Sequence, residues 1–263
     1  MPSPRSAGLR SALGLAAGLA GLAFWGFLAL ALASLLALVI VRVGADWLDG
    51  LGSWTTARPR LQPRQLAMRE LAIDVIRQAL LAILVVAAVR WRAGPDWRRA
   101  LALTRPAPGA APAPGLTPHR LALLMLVWPL IHITWVTGTA EFLNMPIRRH
   151  TSLAPGLTTG AAALWLAYVL ILAPIAEELL VRGALYERAR RFLSPGAAIA
   201  ATGLLFAAAH LTPAGIARPL SLIPLALVLG WVRWRSGRLW PGILLHAWSN
   251  LAMIAYVLWP ADG

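Results

Sequence analysis

The sequence predicts an all-α protein, a polytopic bundle of about seven transmembrane helices. Of its 263 residues 59% are apolar and only 13% are charged, against roughly 25% charged in soluble domains. The uncharged residues also fall into long runs divided by short Arg-bearing stretches. A bilayer explains both features at once, whereas a soluble core of this size still needs a charged surface.

Seven segments are long enough to cross a hydrocarbon core about 30 Å thick, which takes roughly 20 helical residues. They cover 13 to 41, 71 to 89, 121 to 141, 160 to 186, 196 to 216, 219 to 233 and 239 to 259. The first follows a short basic start, Met1 to Arg10, and stays uncharged from Ser11 to Val41. That run overshoots the apolar part of a signal peptide and reads as a retained helix. Asp74, Arg77 and Gln78 interrupt the second segment, and the amphipathic pattern from Arg64 to Arg77 suits a start in the membrane interface. If that segment does not cross, every later helix inverts. Thr104 to Pro118 reads TRPAPGAAPAPGLTP, an extended connector. The expected division is therefore 1–120, N-terminal helices plus Pro-rich linker, and 121–263, the part that carries chemistry.

The formal net charge is +14, and every one of the 24 basic residues is Arg. An Arg-only, Ala-rich chain points to a bacterial source. The basic residues sit in small groups beside apolar runs, such as Arg98 with Arg99 and Arg190 with Arg191. That placement suits anionic headgroups and argues against a nucleic-acid partner. With the N-terminus cytoplasmic, 14 arginines fall on the inner side and 8 on the outer, as the positive-inside rule expects. The predicted location is the bacterial inner or plasma membrane, multi-pass. Cysteine is absent, which removes disulfides, thiolate metal sites and a Cys nucleophile.

Ionisable groups inside membrane spans are costly and mark function by default. The fourth span holds Glu177 and Glu178 side by side, followed by Arg182. Glu178 and Arg182 are at i and i+4 and can pair on one helical face. Glu177 points about 100° away, without an intrahelical partner, and is free to exchange a proton with water. Both carboxylates sharing Arg182 as a structural cluster is an equal reading of this motif alone. The fifth span carries Phe206 and His210 at i and i+4; a single His on an apolar face is more often structural. The seventh carries His246 and Asn250 at the same spacing, a pair that can donate to a developing oxyanion. In isolation these two are better read as helix-to-helix hydrogen bonds. Together, one carboxylate, two imidazoles and a carboxamide on three helices, at similar depth, supply acid, base and oxyanion donors that lipid-facing packing does not need.

These motifs, EELLVR, FAAAH and HAWSN, fit the patterns EExxxR, FxxxH and HxxxN, in that order. The chain resembles the CPBP family of CAAX proteases and bacteriocin-processing enzymes over roughly Leu164 to Ile254, including the approach SGRLWPGILLHAWSN. The resemblance implies an intramembrane endopeptidase in which Glu177 and His210 activate water and His246 and Asn250 stabilise the oxyanion. Glu178, Arg182 and Phe206 become supporting residues. Val181 stands where many relatives carry Phe, a change expected to alter packing more than chemistry. The implied partners are the bilayer and a membrane-anchored or membrane-spanning protein substrate; relatives act after a prenylated Cys, on bacteriocin leaders or on C-terminal sorting tails.

No cofactor is favoured. The helix-borne HExxH zinc signature is missing, and Asn250 is a poor zinc ligand but a good oxyanion donor. Zinc on Glu177, His210 and His246 stays an open alternative, because two His and one carboxylate suit a catalytic ion. Serine chemistry lacks a signature around Ser249 or Ser221, and aspartyl chemistry needs two membrane aspartates where only Asp74 is available. The reading from a different class is a non-catalytic immunity or scaffold protein that keeps the polar cluster for packing.

Overall fold

The computed structural model describes residues 4–49, 63–104, 115–145, 157–212 and 215–258. Most of the Pro-rich connector, positions 105–114, lies outside these residues. The described chain is all-α. Its helices are α1 (Pro4–Asp49), α2 (Pro63–Ala93), α3 (Pro118–Phe142), α4 (Thr159–Ala189), α5 (Pro195–Ala208), α6 (Ala217–Ser236) and α7 (Trp240–Leu258). Five of them, α1, α2, α3, α4 and α7, are long and apolar enough to cross a membrane. The polar residues at 74, 77 and 78 leave α2 unbroken; Asp74 and Arg77 pair with each other at 2.8 Å.

Local chemistry sets the helix ends. Thr117, Thr158 and Ser194 each accept a hydrogen bond from the backbone N–H three residues on, at 3.3 Å, and so cap α3, α4 and α5. Pro118 and Pro195 follow two of these caps, where a missing N–H costs nothing. Gly237, at φ 64°, closes α6 in the left-handed conformation that Gly adopts without a Cβ penalty.

The fifth span ends earlier than its apolar pattern suggests. α5 stops at Ala208 after 14 residues, about 21 Å, and His210 lies in the turn beyond it. Thr212 precedes Pro213, and a residue before proline is pushed out of the α region, so the helix terminates upstream.

α4 is the central helix. α2 packs along one side of it and α7 along another, α1 lies on α2, α5 pairs with α6, and α3 lies against α6 and α7. One apolar cluster joins α1, α2, α4 and α5 through Leu22, Leu81, Leu180 and Phe206. A second joins α3, α6 and α7 through Trp128, Leu225, Leu229 and Leu245. Lipid is as apolar as Leu, so such clusters only weakly specify helix pairing in a bilayer; polar contacts and close approaches do more. Outward residues such as Leu126 and Leu130, 77% and 72% exposed, present the apolar face that lipid requires.

Candidate active site

α4 departs from a regular α-helix where its polar residues sit. Tyr168–Leu172 and Leu179–Leu185 are π-helical and flank the α-helical turn Ala173–Glu178. Such bulges shift side chains around the helix axis and leave backbone groups without their usual partners. In an i to i+5 pattern the donor to the Val169 carbonyl is residue 174, a proline with no N–H. The Asn250 side-chain amide supplies that donor across the α4–α7 seam at 2.9 Å.

The two carboxylates part as helical spacing requires. Glu178 is fully buried and accepts from Arg182 Nη1 at 2.9 Å on Oε1. Arg182 Nη2 donates to the Ala226 carbonyl at 2.8 Å, and its guanidinium lies 4.8 Å from the Phe206 ring centroid. Charge and donors are thus largely consumed inside the bundle. Glu177 remains 16% exposed and faces a cavity of about 250 Å³, whose walls include Gln78, Tyr168, His210 and Arg218.

His246 links the two carboxylates. Its Nδ1 lies 3.2 Å from Glu178 Oε1 and its Nε2 3.8 Å from Glu177 Oε2. α7 comes this close because residue 242 is Gly: a Cβ there would lie 3.3 Å from Glu178 Oε2. Phe206 sits against both imidazoles, 4.8 Å from the His210 ring and 5.8 Å from the His246 ring. His210 Nδ1 is 2.9 Å from the Phe206 carbonyl, so a proton on Nδ1 is donated to the backbone and Nε2 is left for other work.

Glu177 and His210 therefore line one cavity, His246 approaches Glu177 at 3.8 Å without lining it, and Asn250 holds α7 to α4. Glu177 and His210 share the cavity wall; no direct hydrogen bond joins them. Among the described residues no three His, Asp or Glu side chains form a group that could hold a metal ion. Glu177, His210 and His246 are not such a group; the Nδ1 contacts of the two imidazoles, to Glu178 and to the Phe206 carbonyl, orient the rings and leave each Nε2 outside them.

Two features escape sequence reading. Gln78 of α2 donates from Nε2 to Glu177 Oε1 at 3.0 Å across 99 positions of chain, so Glu177 has a partner, though not an intrahelical one. The available signal was Gln78 itself, an amide within a lipid-crossing run. The second is a histidine beside Ser249. Trp128 Nε1 donates to Ser249 Oγ at 3.1 Å, and that hydroxyl lies 2.6 Å from His132 Nδ1. Ser249 is completely buried in the α3–α7 seam and does not line the Glu177 cavity. With Trp248 Nε1 donating to the Met125 carbonyl at 2.7 Å, it clamps the helix that carries His246 and Asn250.

Residues 159–252 match the family model described as Rce1-like, type II CAAX prenyl endopeptidase Rce1-like. The resemblance read from the three motifs holds over this stretch. All four candidate catalytic residues lie inside the Rce1-like match, whereas Gln78, Trp128 and His132 lie outside it. A match to an endopeptidase family, on a chain with five helices fit to cross a membrane, supports an integral membrane hydrolase of the protease class. No curated protein and no solved structure matches the chain.

Proposed function

We propose that the protein is an intramembrane endopeptidase that hydrolyses a peptide bond of a membrane-associated protein substrate, with Glu177 and His210 activating the water. One observation carries this reading: of two adjacent carboxylates, Glu178 is consumed by Arg182 while Glu177 opens onto a cavity that His210 also lines.

A water between Glu177 and His210 loses a proton to the carboxylate as its oxygen attacks the scissile carbonyl carbon. The carbonyl oxygen becomes an oxyanion, and the proton held on Glu177 then passes to the leaving amine as the C–N bond breaks. Gln78 holds one Glu177 oxygen and keeps the other turned toward the reacting centre. His246 and Asn250 are the oxyanion donors. Asn250 spends one N–H on Val169 and retains a second. His246 that donates from Nδ1 to Glu178 must carry a proton on both nitrogens to donate from Nε2 as well. Substrates would be membrane-anchored or membrane-spanning proteins whose scissile bond reaches the cavity.

The test follows a tagged membrane substrate in proteoliposomes. Glu177→Gln keeps the fold and loses about 10²- to 10⁴-fold in cleavage rate, the usual worth of a general base. A folded Glu177→Gln protein that still cleaves at the wild-type rate removes the proposal. Chelator treatment alongside leaves the wild-type rate unchanged when Glu177 and His210 activate the water without a metal ion.

A further inference from the structure

A second and larger cavity, about 520 Å³, lies between α1, α2 and α4. It shares only Leu180 and Leu185 with the Glu177 cavity. Its volume falls in the range of roughly 300–1,000 Å³ typical of ligand sites. The wall is apolar, formed by residues such as Leu28, Leu32, Leu84 and Ala88.

Three guanidiniums also line it: Arg92 from the last turn of α2, and Arg188 and Arg191 from the end of α4 and just beyond it. Arg92 lies 5.5 Å from the ring centroid of Trp25, itself part of the lining. Glu187 is the carboxylate in this lining, and Arg233 binds it from α6. Among the described residues, none of the three arginines has a carboxylate partner, whereas Arg77 and Arg99 pair with Asp74 and Asp96. A helix dipole favours cations at a C-terminus. It does not explain why three of them share the lining of one apolar crevice.

Long apolar walls, unpaired guanidiniums and Trp residues are the chemistry that recognises a lipid at headgroup level. A zwitterionic headgroup brings its own cation and matches three arginines poorly; a net-anionic one matches them well. We propose that this crevice binds an anionic phospholipid, with an acyl chain along the apolar wall and the phosphate on Arg92, Arg188 and Arg191. Arg supplies fork-shaped, bidentate donors that suit phosphate oxygens.

Native mass spectrometry of the full chain in detergent tests this, titrating phosphatidylglycerol against phosphatidylcholine of identical chains. The wild type retains phosphatidylglycerol about fivefold or more over phosphatidylcholine. R188Q/R191Q loses that preference, whereas R98Q/R99Q, which removes the same charge outside the crevice, keeps it. A88W, at an exposed position of the wall, lowers retention by filling the space. Equal retention of the two lipids by the wild type overturns the site, and so does equal loss of preference in the two double variants. Thermal unfolding of each variant confirms an intact fold. The readout is bound lipid, so it stands whether or not the chain cleaves peptides.

Discussion

Two polar clusters in this bundle each place a histidine beside a group that could start hydrolysis, and they differ in access. Glu177 and His210 line a cavity, next to the matched motifs of α4, α5 and α7. Ser249 and His132 are in closer contact, yet Ser249 is fully buried and His132 only 3% exposed, against the aromatic wall of Trp128. Pairing alone therefore does not locate chemistry in a membrane protein. Space for water and a peptide does. The buried pair instead contributes helix specificity, which apolar packing supplies poorly in lipid.

Variants on the two sides should diverge in kind, and the largest effect belongs to the sealed ion pair behind the cavity. Arg182→Leu leaves Glu178 as an uncompensated buried charge and should cost about 3–5 kcal/mol, read as a lower thermal midpoint in detergent. Activity then falls because the fold fails, and a matched Glu178→Gln/Arg182→Leu pair should recover part of the stability. His210→Ala removes a group from the cavity and should lower the cleavage rate by about 10²-fold or more with an unchanged midpoint.

Helix periodicity offered the pairing of Glu178 with Arg182 at i, i+4 but left a cluster of both carboxylates on Arg182 equally open, and the observed 2.9 Å Glu178–Arg182 pair follows the first. His246 beside both carboxylates was implied only by combining motifs. The end of α5 was not legible from apolarity, since Leu211 continues the run after the helix has stopped at Ala208. Asn250 reaching Val169 depends on a π-helical stretch that residue spacing does not encode. Gln78 was visible, but as a flaw in a span; its partner lies 99 positions away, beyond any periodic signal.

The remaining predictions sharpen the contrast at smaller effect sizes. Ser249→Ala strands Trp128 Nε1 and His132 Nδ1 in the α3–α7 seam and should destabilise by about 1–3 kcal/mol, measured by thermal or denaturant unfolding. Gln78→Leu removes one charge-assisted hydrogen bond to the Glu177 carboxylate, worth about 1.5–3 kcal/mol. It should slow cleavage by roughly 10- to 100-fold through kcat with little change in KM, and Gln78→Asn should be no faster, because the shorter side chain cannot span the 3.0 Å contact.

The most direct measurement sets Glu177→Gln beside Ser249→Ala in proteoliposomes at a temperature where both are folded, with cleavage of one tagged membrane substrate and the unfolding midpoint read on each. The account predicts an inactive but wild-type-stable Glu177→Gln protein and an active but less stable Ser249→Ala protein. The opposite pattern, cleavage surviving loss of the carboxylate and vanishing with the buried hydroxyl, would contradict it.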